Sequence, residues 1–187
     1  MSLQDVRELA EHIISAEDDF YRRVATMCIM IILSAAAIIY ARIRKTKLSV
    51  FPQKFSKAYV IFTVIAAVLL VTTPSNFTGG SKAVILLIYG SIVTPVYEEL
   101  VFRGYIWNRL DSVLSKQLYT YIWSVALFTV WHLGYMIPQL ASGNINAVLW
   151  KLAAGVGYGT VLGFVRMKTK NCYSTMLLHG VLNIFMI

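Results

Sequence analysis

Residues 83–105 read AVILLIYGSIVTPVYEELVFRGY, and this stretch decides what kind of fold the chain can adopt. Its length and apolar character are those of a helix that crosses a bilayer, which needs roughly 17–25 such residues. It nevertheless carries Glu98, Glu99 and Arg103, although an ionisable side chain inside a span costs about 3 kcal/mol. It also contains Pro95, which removes one helical hydrogen bond and favours a kink. The stretch therefore predicts a spanning helix that contributes to a functional site.

The composition of the whole chain is that of a membrane protein. Of its 187 residues, 58% are hydrophobic and 14% are charged, whereas about 25% of the residues in soluble domains are charged. This composition excludes intrinsic disorder, and two cysteines make a disulfide scaffold a poor interpretation. Six of the nine acidic residues lie in the first nineteen positions, and the others are Glu98, Glu99 and Asp111. The chain thus retains an acid pair in a region that otherwise excludes acids.

Six apolar runs predict an all-α fold. They cover residues 24–41, 58–73, 83–105, 118–137, 145–165 and 173–187. Backbone groups in lipid must hydrogen-bond internally, which favours helices, and the runs lack the two-residue alternation of a membrane barrel. Residues 1–23 place apolar side chains at helical spacing among acids, which predicts an amphipathic helix, with a solvated helical tail as the alternative. We therefore expect a polytopic transmembrane helix bundle over residues 24–187, with about six spanning helices and the N-terminal amphipathic helix.

The basic residues predict the orientation of the bundle in a cell membrane. They concentrate in loops at 42–57, 103–117 and 166–170, whereas the two intervening loops carry only Lys82. Because positively charged loops stay in the cytoplasm, these three loops are predicted cytoplasmic and the N-terminus outside. The net charge of +8 is then explained by topology and lipid headgroups, and nucleic acid is not an expected partner.

The spans contain few acidic, basic or histidine side chains, and helical spacing groups most of them. They are Glu98, Glu99, Arg103, His132, Lys151 and His179, and the uncharged Asn183 lies one turn after His179. Lys151 lies near the start of its span and can extend to the interface, so we assign it no function. Glu99 and Arg103 are four residues apart and can form an ion pair, while Glu98 points about 100° away from Glu99. His179 and Asn183 are also four residues apart and share a face.

If these helix faces converge, the bundle interior holds a carboxylate, two imidazoles and an amide. Such a set can activate a water molecule and stabilise an oxyanion. The chain shows no Ser or Cys nucleophile in an evident setting, so water is the predicted attacking group. The alternative is structural, because a histidine between helices and a Glu–Arg pair both occur in ordinary packing. Two adjacent glutamates in a kinked span are harder to explain that way.

The same residues resemble the motifs of the CAAX protease and bacteriocin-processing family, also called the Abi family of intramembrane proteases, which includes Rce1-like enzymes. Residues 98–103 fit its Glu-Glu-x-x-x-Arg motif, residues 128–132 its Phe-x-x-x-His motif and residues 179–183 its His-x-x-x-Asn motif. All three motifs occur in the family's order, each in a predicted span. The resemblance covers a protease-like core at about residues 83–187.

The resemblance implies an intramembrane endopeptidase that uses glutamate-activated water, as in CAAX-type C-terminal processing. It implies Glu98 as the general base and His132 as the residue that positions the water. It further implies that His179 and Asn183 stabilise the oxyanion. The remaining motif residues, Glu99 and Arg103, would support the site or contact substrate. The expected partners are the lipid bilayer and a peptide or protein substrate, either prenylated or a small secreted peptide, and the oligomeric state is open.

Three alternatives accompany this interpretation. Members of the family are often labelled metallopeptidases, and a zinc ion would have to use Glu98, His132 and His179 from three spans. We expect no required cofactor, since the chain has no His-Glu-x-x-His sequence. The second alternative is a non-catalytic bacteriocin immunity or peptide-binding membrane protein on the same scaffold. The third, a transporter with a proton relay, is disfavoured because the sequence shows no internal repeats.

Overall fold

A computed structural model of the chain describes residues 3–134 and 136–185, with the backbone alone for residues 3–16 and residue 75. All regular structure in these described ranges is helical, which confirms the predicted all-α class. The helices are α1 (Leu3–Ile43), α2 (Lys57–Thr72), α3 (Ser75–Thr78), α4 (Gly80–Val113), α5 (Gln117–Gly134), α6 (Ile137–Ala141), α7 (Ile145–Thr169) and α8 (Cys172–Ile184).

Within the described residues, four helices are long and apolar enough to cross a membrane. They are Glu17–Ile43 within α1, Lys57–Thr78, Gly80–Val113 and Ile145–Thr169. The other two predicted spans, 118–137 and 173–187, correspond to α5 with 18 residues and α8 with 13 residues. Helix α8 is therefore about 20 Å long, which is shorter than a hydrocarbon core of about 30 Å. Residues 186 and 187 of the sixth predicted run lie outside the described residues.

The acidic N-terminal segment is continuous with the first spanning helix. Helix α1 extends from Leu3 to Ile43 without a break at residue 23, because this sequence contains neither Gly nor Pro. Its 41 residues give a length of about 60 Å, twice a typical hydrocarbon core. The predicted amphipathic face at residues 3–16 lies outside the described side chains. Glu17 is described, and its carboxylate accepts a hydrogen bond from Lys82 at 2.9 Å.

The predicted basic loops lie at one end of the bundle, where the connection between α1 and α2 folds back onto the helices. The Asn108 side chain donates a hydrogen bond to the Lys47 carbonyl at 2.6 Å. The backbone N–H of Cys172, at the start of α8, donates to the Ser49 carbonyl at 2.9 Å. The ends of α1, α4 and α7 and the start of α8 therefore share one side. Which side of a membrane this end faces stays a prediction.

Two arginines assigned to basic loops by their sequence belong to helices instead. Arg103 lies inside α4 and Arg166 inside α7, and both are buried. Arg103 was predicted both inside the span 83–105 and at the start of the basic loop 103–117, and it lies within the helix. The boundary predicted at 166 was wrong, because Arg166 finds acceptors in the interior and α7 continues past it. Helix α4 ends at Val113 and α7 at Thr169.

Helix α4 departs from α geometry on both sides of the acid pair. A π-helical turn at Tyr89–Val93 precedes the α-helical segment Thr94–Glu99, and a second π turn follows at Leu100–Ile106. The sequence predicts a kink at Pro95. This residue lies just after the first π turn, where the helix departs from α geometry. Such π turns are rare and are often found at functional sites.

Small residues let α7 approach α5 closely. The sequence of α7 contains Gly155, Gly157, Gly159 and Gly163, a series that predicts close helix packing. A Cβ added at Gly155 would lie 3.4 Å from the Thr129 Cα, and one added at Gly159 would lie 3.2 Å from the Val125 side chain. Gly157, on another face of the same helix, has nothing within 4 Å. Glycine at every fourth position commonly forms such contacts between membrane helices.

We expect Gly159→Leu to separate α7 from α5 and to lower the free energy of unfolding by about 1–3 kcal/mol, because the added side chain meets helix backbone. Thermal unfolding in detergent micelles measures this change. Gly157→Leu is the matched control on the same helix and should leave the midpoint unchanged. Equal destabilisation by both variants would contradict the packing argument.

Candidate active site

Side chains from three helices meet around Glu98 in the bundle interior. Glu98 on α4 is 3% exposed. Its Oε2 lies 3.9 Å from Nε2 of His132 on α5 and 3.9 Å from Nε2 of His179 on α8. Helix α5 begins at Gln117, close to its predicted start. Three helices therefore bring together Glu98, His132 and His179, as the sequence predicted.

Glu99 has partners that its neighbour lacks. Its Oε1 accepts hydrogen bonds from Arg103 Nη1 and from His179 Nδ1, each at 3.0 Å. The predicted Glu99–Arg103 ion pair is therefore present, with both side chains fully buried. By contrast, the buried Oε2 of Glu98 has no hydrogen-bond partner among the described residues. The two adjacent glutamates thus differ in their contacts, since Glu99 accepts hydrogen bonds from two donors and Glu98 faces two imidazoles.

The hydrogen bonds of the two histidines determine which ring nitrogen faces Glu98. His132 Nδ1 lies 2.8 Å from the Phe128 carbonyl oxygen, which can only accept, so this nitrogen carries the proton. His179 Nδ1 likewise donates to the Glu99 carboxylate. In each neutral ring the Nε2 lone pair is therefore left on the side of Glu98.

Phe128 is the packing centre of the site. It is fully buried, and its ring centroid lies 4.1 Å from the Arg103 guanidinium carbon and 4.4 Å from the His132 ring centroid. Phe102 packs against the same ring at 5.1 Å in an edge-to-face geometry. Because the arginine lies over an aromatic face, a cation–π attraction adds to its ion pair. Phe128 thus connects the α4 ion pair to the α5 histidine.

Asn183 is held by groups from α4 and α7. Its Nδ2 donates to the Gly90 carbonyl at 2.7 Å, and its Oδ1 accepts from the Tyr158 hydroxyl at 3.2 Å. The Tyr158 ring also lies 5.3 Å from the His179 ring. These contacts fix the orientation of the amide and leave one of its two N–H groups for another acceptor. Sequence reasoning missed Tyr158, which lies in a glycine-rich stretch and shows no motif spacing.

Arg166 is a second residue that sequence reasoning missed, because it was assigned to a loop. Its Nε donates to the Arg103 carbonyl at 2.8 Å, and its Nη2 donates to the Asn108 side chain at 2.8 Å. The Arg103 carbonyl belongs to the second π turn of α4. Arg166 therefore supports the turn that carries the buried ion pair. Its position at the end of an apolar run was the available signal.

The three residues that could hold a metal ion lie close together, because the Nε2 atoms of His132 and His179 are each 3.9 Å from Glu98 Oε2. Among the described residues, however, no group of three His, Cys, Asp or Glu side chains has the arrangement of a metal site. The expected independence from a cofactor stays a prediction.

Comparison with protein-family models assigns the region that contains this site to a known family. The model described as type II CAAX prenyl endopeptidase Rce1-like matches residues 80–185. The matched range is more than half of the chain, and it runs from the start of α4 to the end of α8. The chain belongs to the Rce1-like family. Comparisons with curated proteins and with solved structures found no match.

Membership in the Rce1-like family confirms the resemblance seen in the motifs. It indicates a CAAX-type intramembrane protease, and hence a membrane protein with a peptide or protein substrate. Helices α1, α2 and α3 precede the matched residues. All seven fixed residues of the three motifs lie within the match.

We expect Arg103→Met to destabilise this Rce1-like protein by about 3–5 kcal/mol, because it leaves the Glu99 charge buried without its partner. Chemical unfolding in mixed micelles measures the loss. Arg109→Met removes an exposed arginine from the same helix and is the matched control. The double variant Glu99→Gln/Arg103→Met should recover part of the stability. A single variant as stable as the control would show that the ion pair contributes nothing.

Proposed function

We propose that this protein hydrolyses a peptide bond within the membrane, with Glu98 activating the attacking water. The observation that carries the proposal is the position of Glu98 Oε2, which faces two imidazole nitrogens at 3.9 Å and has no hydrogen-bond donor among the described residues. A carboxylate in such a setting can take a proton from water and return it to the leaving amine.

The separations around Glu98 fit a shared water molecule. A distance of 3.9 Å exceeds the roughly 3.2 Å limit of a direct hydrogen bond. Two groups that each hydrogen-bond to one water at about 2.8 Å lie roughly 4.4 Å apart when the angle at the water oxygen is near tetrahedral, and about 3.9 Å apart when that angle is near 90°. In the proposal, a water between Glu98 and His132 donates one proton to each group, since both present lone pairs.

The proposed oxyanion stabilisers are His179 and Asn183. His179 Nδ1 donates to Glu99 at 3.0 Å, and a carboxylate in this position stabilises the imidazolium form, whose Nε2 then becomes a donor. The second N–H of the Asn183 amide would supply another donor, with Tyr158 and Gly90 fixing its orientation. Glu99 and Arg103 act in this proposal through His179 rather than on the substrate.

The proposed substrate is a peptide chain whose cleavage site reaches the membrane interior. The family description names a CAAX prenyl endopeptidase, so a prenylated C-terminal peptide is the first class to test. An unprenylated secreted peptide is the second. Non-catalytic capture of such a peptide on the same scaffold is the competing function.

We expect Glu98→Gln to lower kcat by about 10²- to 10⁴-fold, because the amide cannot accept the proton of water. Cleavage of fluorogenic peptides, with and without a prenyl group, by protein in proteoliposomes measures the rate. Asp111→Asn neutralises another acid of α4 and should retain full activity. Undiminished cleavage by Glu98→Gln would refute the proposed base. Peptide binding without cleavage, equal in wild type and variant, would favour the immunity or capture function.

Chelation tests the cofactor expectation separately. With Glu98 acting directly on water, incubation with a membrane-permeant chelator should leave the rate unchanged. Loss of activity that zinc restores would instead support a metal ion held by Glu98, His132 and His179. The melting temperature, measured in parallel, distinguishes metal loss from unfolding.

A further inference from the structure

A second cavity lies apart from the candidate active site, between α2 on one side and α7 and α8 on the other. Its volume is about 630 Å³, which is within the roughly 300–1,000 Å³ of ligand-binding pockets. The lining is apolar, with Phe62 and Ile65 from α2, Val165 from α7, and Leu177 and Val181 from α8. None of the motif residues lines it. We refer to this cavity as the α2 groove.

One end of the α2 groove lies at the basic end of the bundle. Tyr59, Thr169 and Ser174 line it there, and the Asn171 side chain donates a hydrogen bond to the Tyr59 hydroxyl at 2.9 Å. This hydrogen bond joins the start of α2 to the connection between α7 and α8. Residues next to these positions are therefore held around the same opening.

Three lysines adjoin, along the chain, the residues that line the groove at this end. Lys57 is the first residue of α2 and precedes groove-lining residues, while Lys168 and Lys170 flank Thr169. All three are exposed, and none forms an ion pair among the described residues. The N-terminal N–H groups of α2 add partial positive charge at the same place. The opening is therefore a cationic rim around an apolar interior.

We propose that the α2 groove binds an anionic phospholipid. An acyl chain would lie between Phe62 and Leu177, and the phosphate would contact Lys57, Lys168 and Lys170. Basic pockets between membrane helices favour anionic headgroups, and each lysine near the surface contributes about fivefold to binding. Helix α2 has no buried residue, so the acyl chain would cover apolar surface that this helix otherwise exposes.

The proposal does not depend on peptidase activity, because the groove and the motif residues use different faces of α8. Its failure and the failure of the proposed function are therefore distinguishable. The Glu98→Gln variant should bind the lipid as wild type does. An enzyme without this lipid site would still cleave peptide if the proposed function is correct.

Native mass spectrometry of purified protein with phosphatidylglycerol and phosphatidylcholine of identical acyl chains tests the site. We expect retention of phosphatidylglycerol over phosphatidylcholine. The triple variant Lys57→Gln/Lys168→Gln/Lys170→Gln should lower phosphatidylglycerol retention more than tenfold. Arg44→Gln/Lys45→Gln/Arg109→Gln removes three exposed cations that do not adjoin the groove and should retain the lipid as wild type does.

A second variant tests the acyl-chain part without changing charge. Ala66 lines the groove, and Ala66→Trp should fill it and reduce retention, with an unchanged melting temperature showing that the bundle is intact. Equal retention of the two lipids by wild type would overturn the headgroup assignment. Equal losses of phosphatidylglycerol retention in both triple variants would show that general surface charge, and not the groove, holds the lipid. Displacement of phosphatidylglycerol by a prenylated peptide would assign the groove to substrate instead.

Discussion

Arg103 is fully buried, and the Glu99 carboxylate at 3.0 Å compensates its charge inside the bundle. A buried charge left without a partner is strongly destabilising, so neither residue can be changed alone at low cost. The pair also reaches beyond its own helix. Arg103 lies against the Phe128 ring of α5, and Glu99 accepts a hydrogen bond from His179 of α8. One ion pair thereby sets the positions of both histidines that face Glu98.

The same ion pair explains why Glu98 and Glu99, which are adjacent and chemically identical, have different hydrogen-bond partners. Glu99 uses Oε1 to hold a guanidinium and an imidazole, whereas Glu98, about 100° further round the helix, faces the Nε2 atoms of both histidines. The carboxylate that is already paired is a poor base, because its charge is stabilised by donors. The carboxylate that lacks them is available for chemistry. Neighbouring positions in sequence thus supply a structural anion and, in the proposed mechanism, the base.

Spacing within one helix was enough to predict part of the site. The Glu99–Arg103 contact follows from helical geometry. The free-energy cost of an ionisable side chain inside a membrane identified the other residues that converge. Contacts between helices could not be obtained this way. Tyr158 reaches Asn183, and Arg166 reaches the Arg103 carbonyl, only because α7 packs where it does. Glycine spacing predicted that α7 packs closely, but neither its partner helix nor the side-chain contacts follow from that spacing, because they depend on how the helices are arranged.

Some helix ends were predicted more closely than others, and the difference has a physical reason. A charged residue was taken to end an apolar run, which is sound where the charge meets water. It was wrong for Arg166, whose acceptors are the Arg103 carbonyl and the Asn108 side chain. A sequence pattern records that a charge is present but not whether the interior supplies its partner.

The π turns of α4 determine how this helix responds to changes in its length. A π turn holds more residues than an α turn, so it behaves like a single-residue insertion into a regular helix. Deleting one residue within Leu100–Ile106 would return the turn to α geometry, and Asn108 beyond it would keep its orientation. Arg103, inside the turn, would rotate relative to Glu99. The bilayer is indifferent to such a deletion, so it is the buried charges that require a particular register of α4.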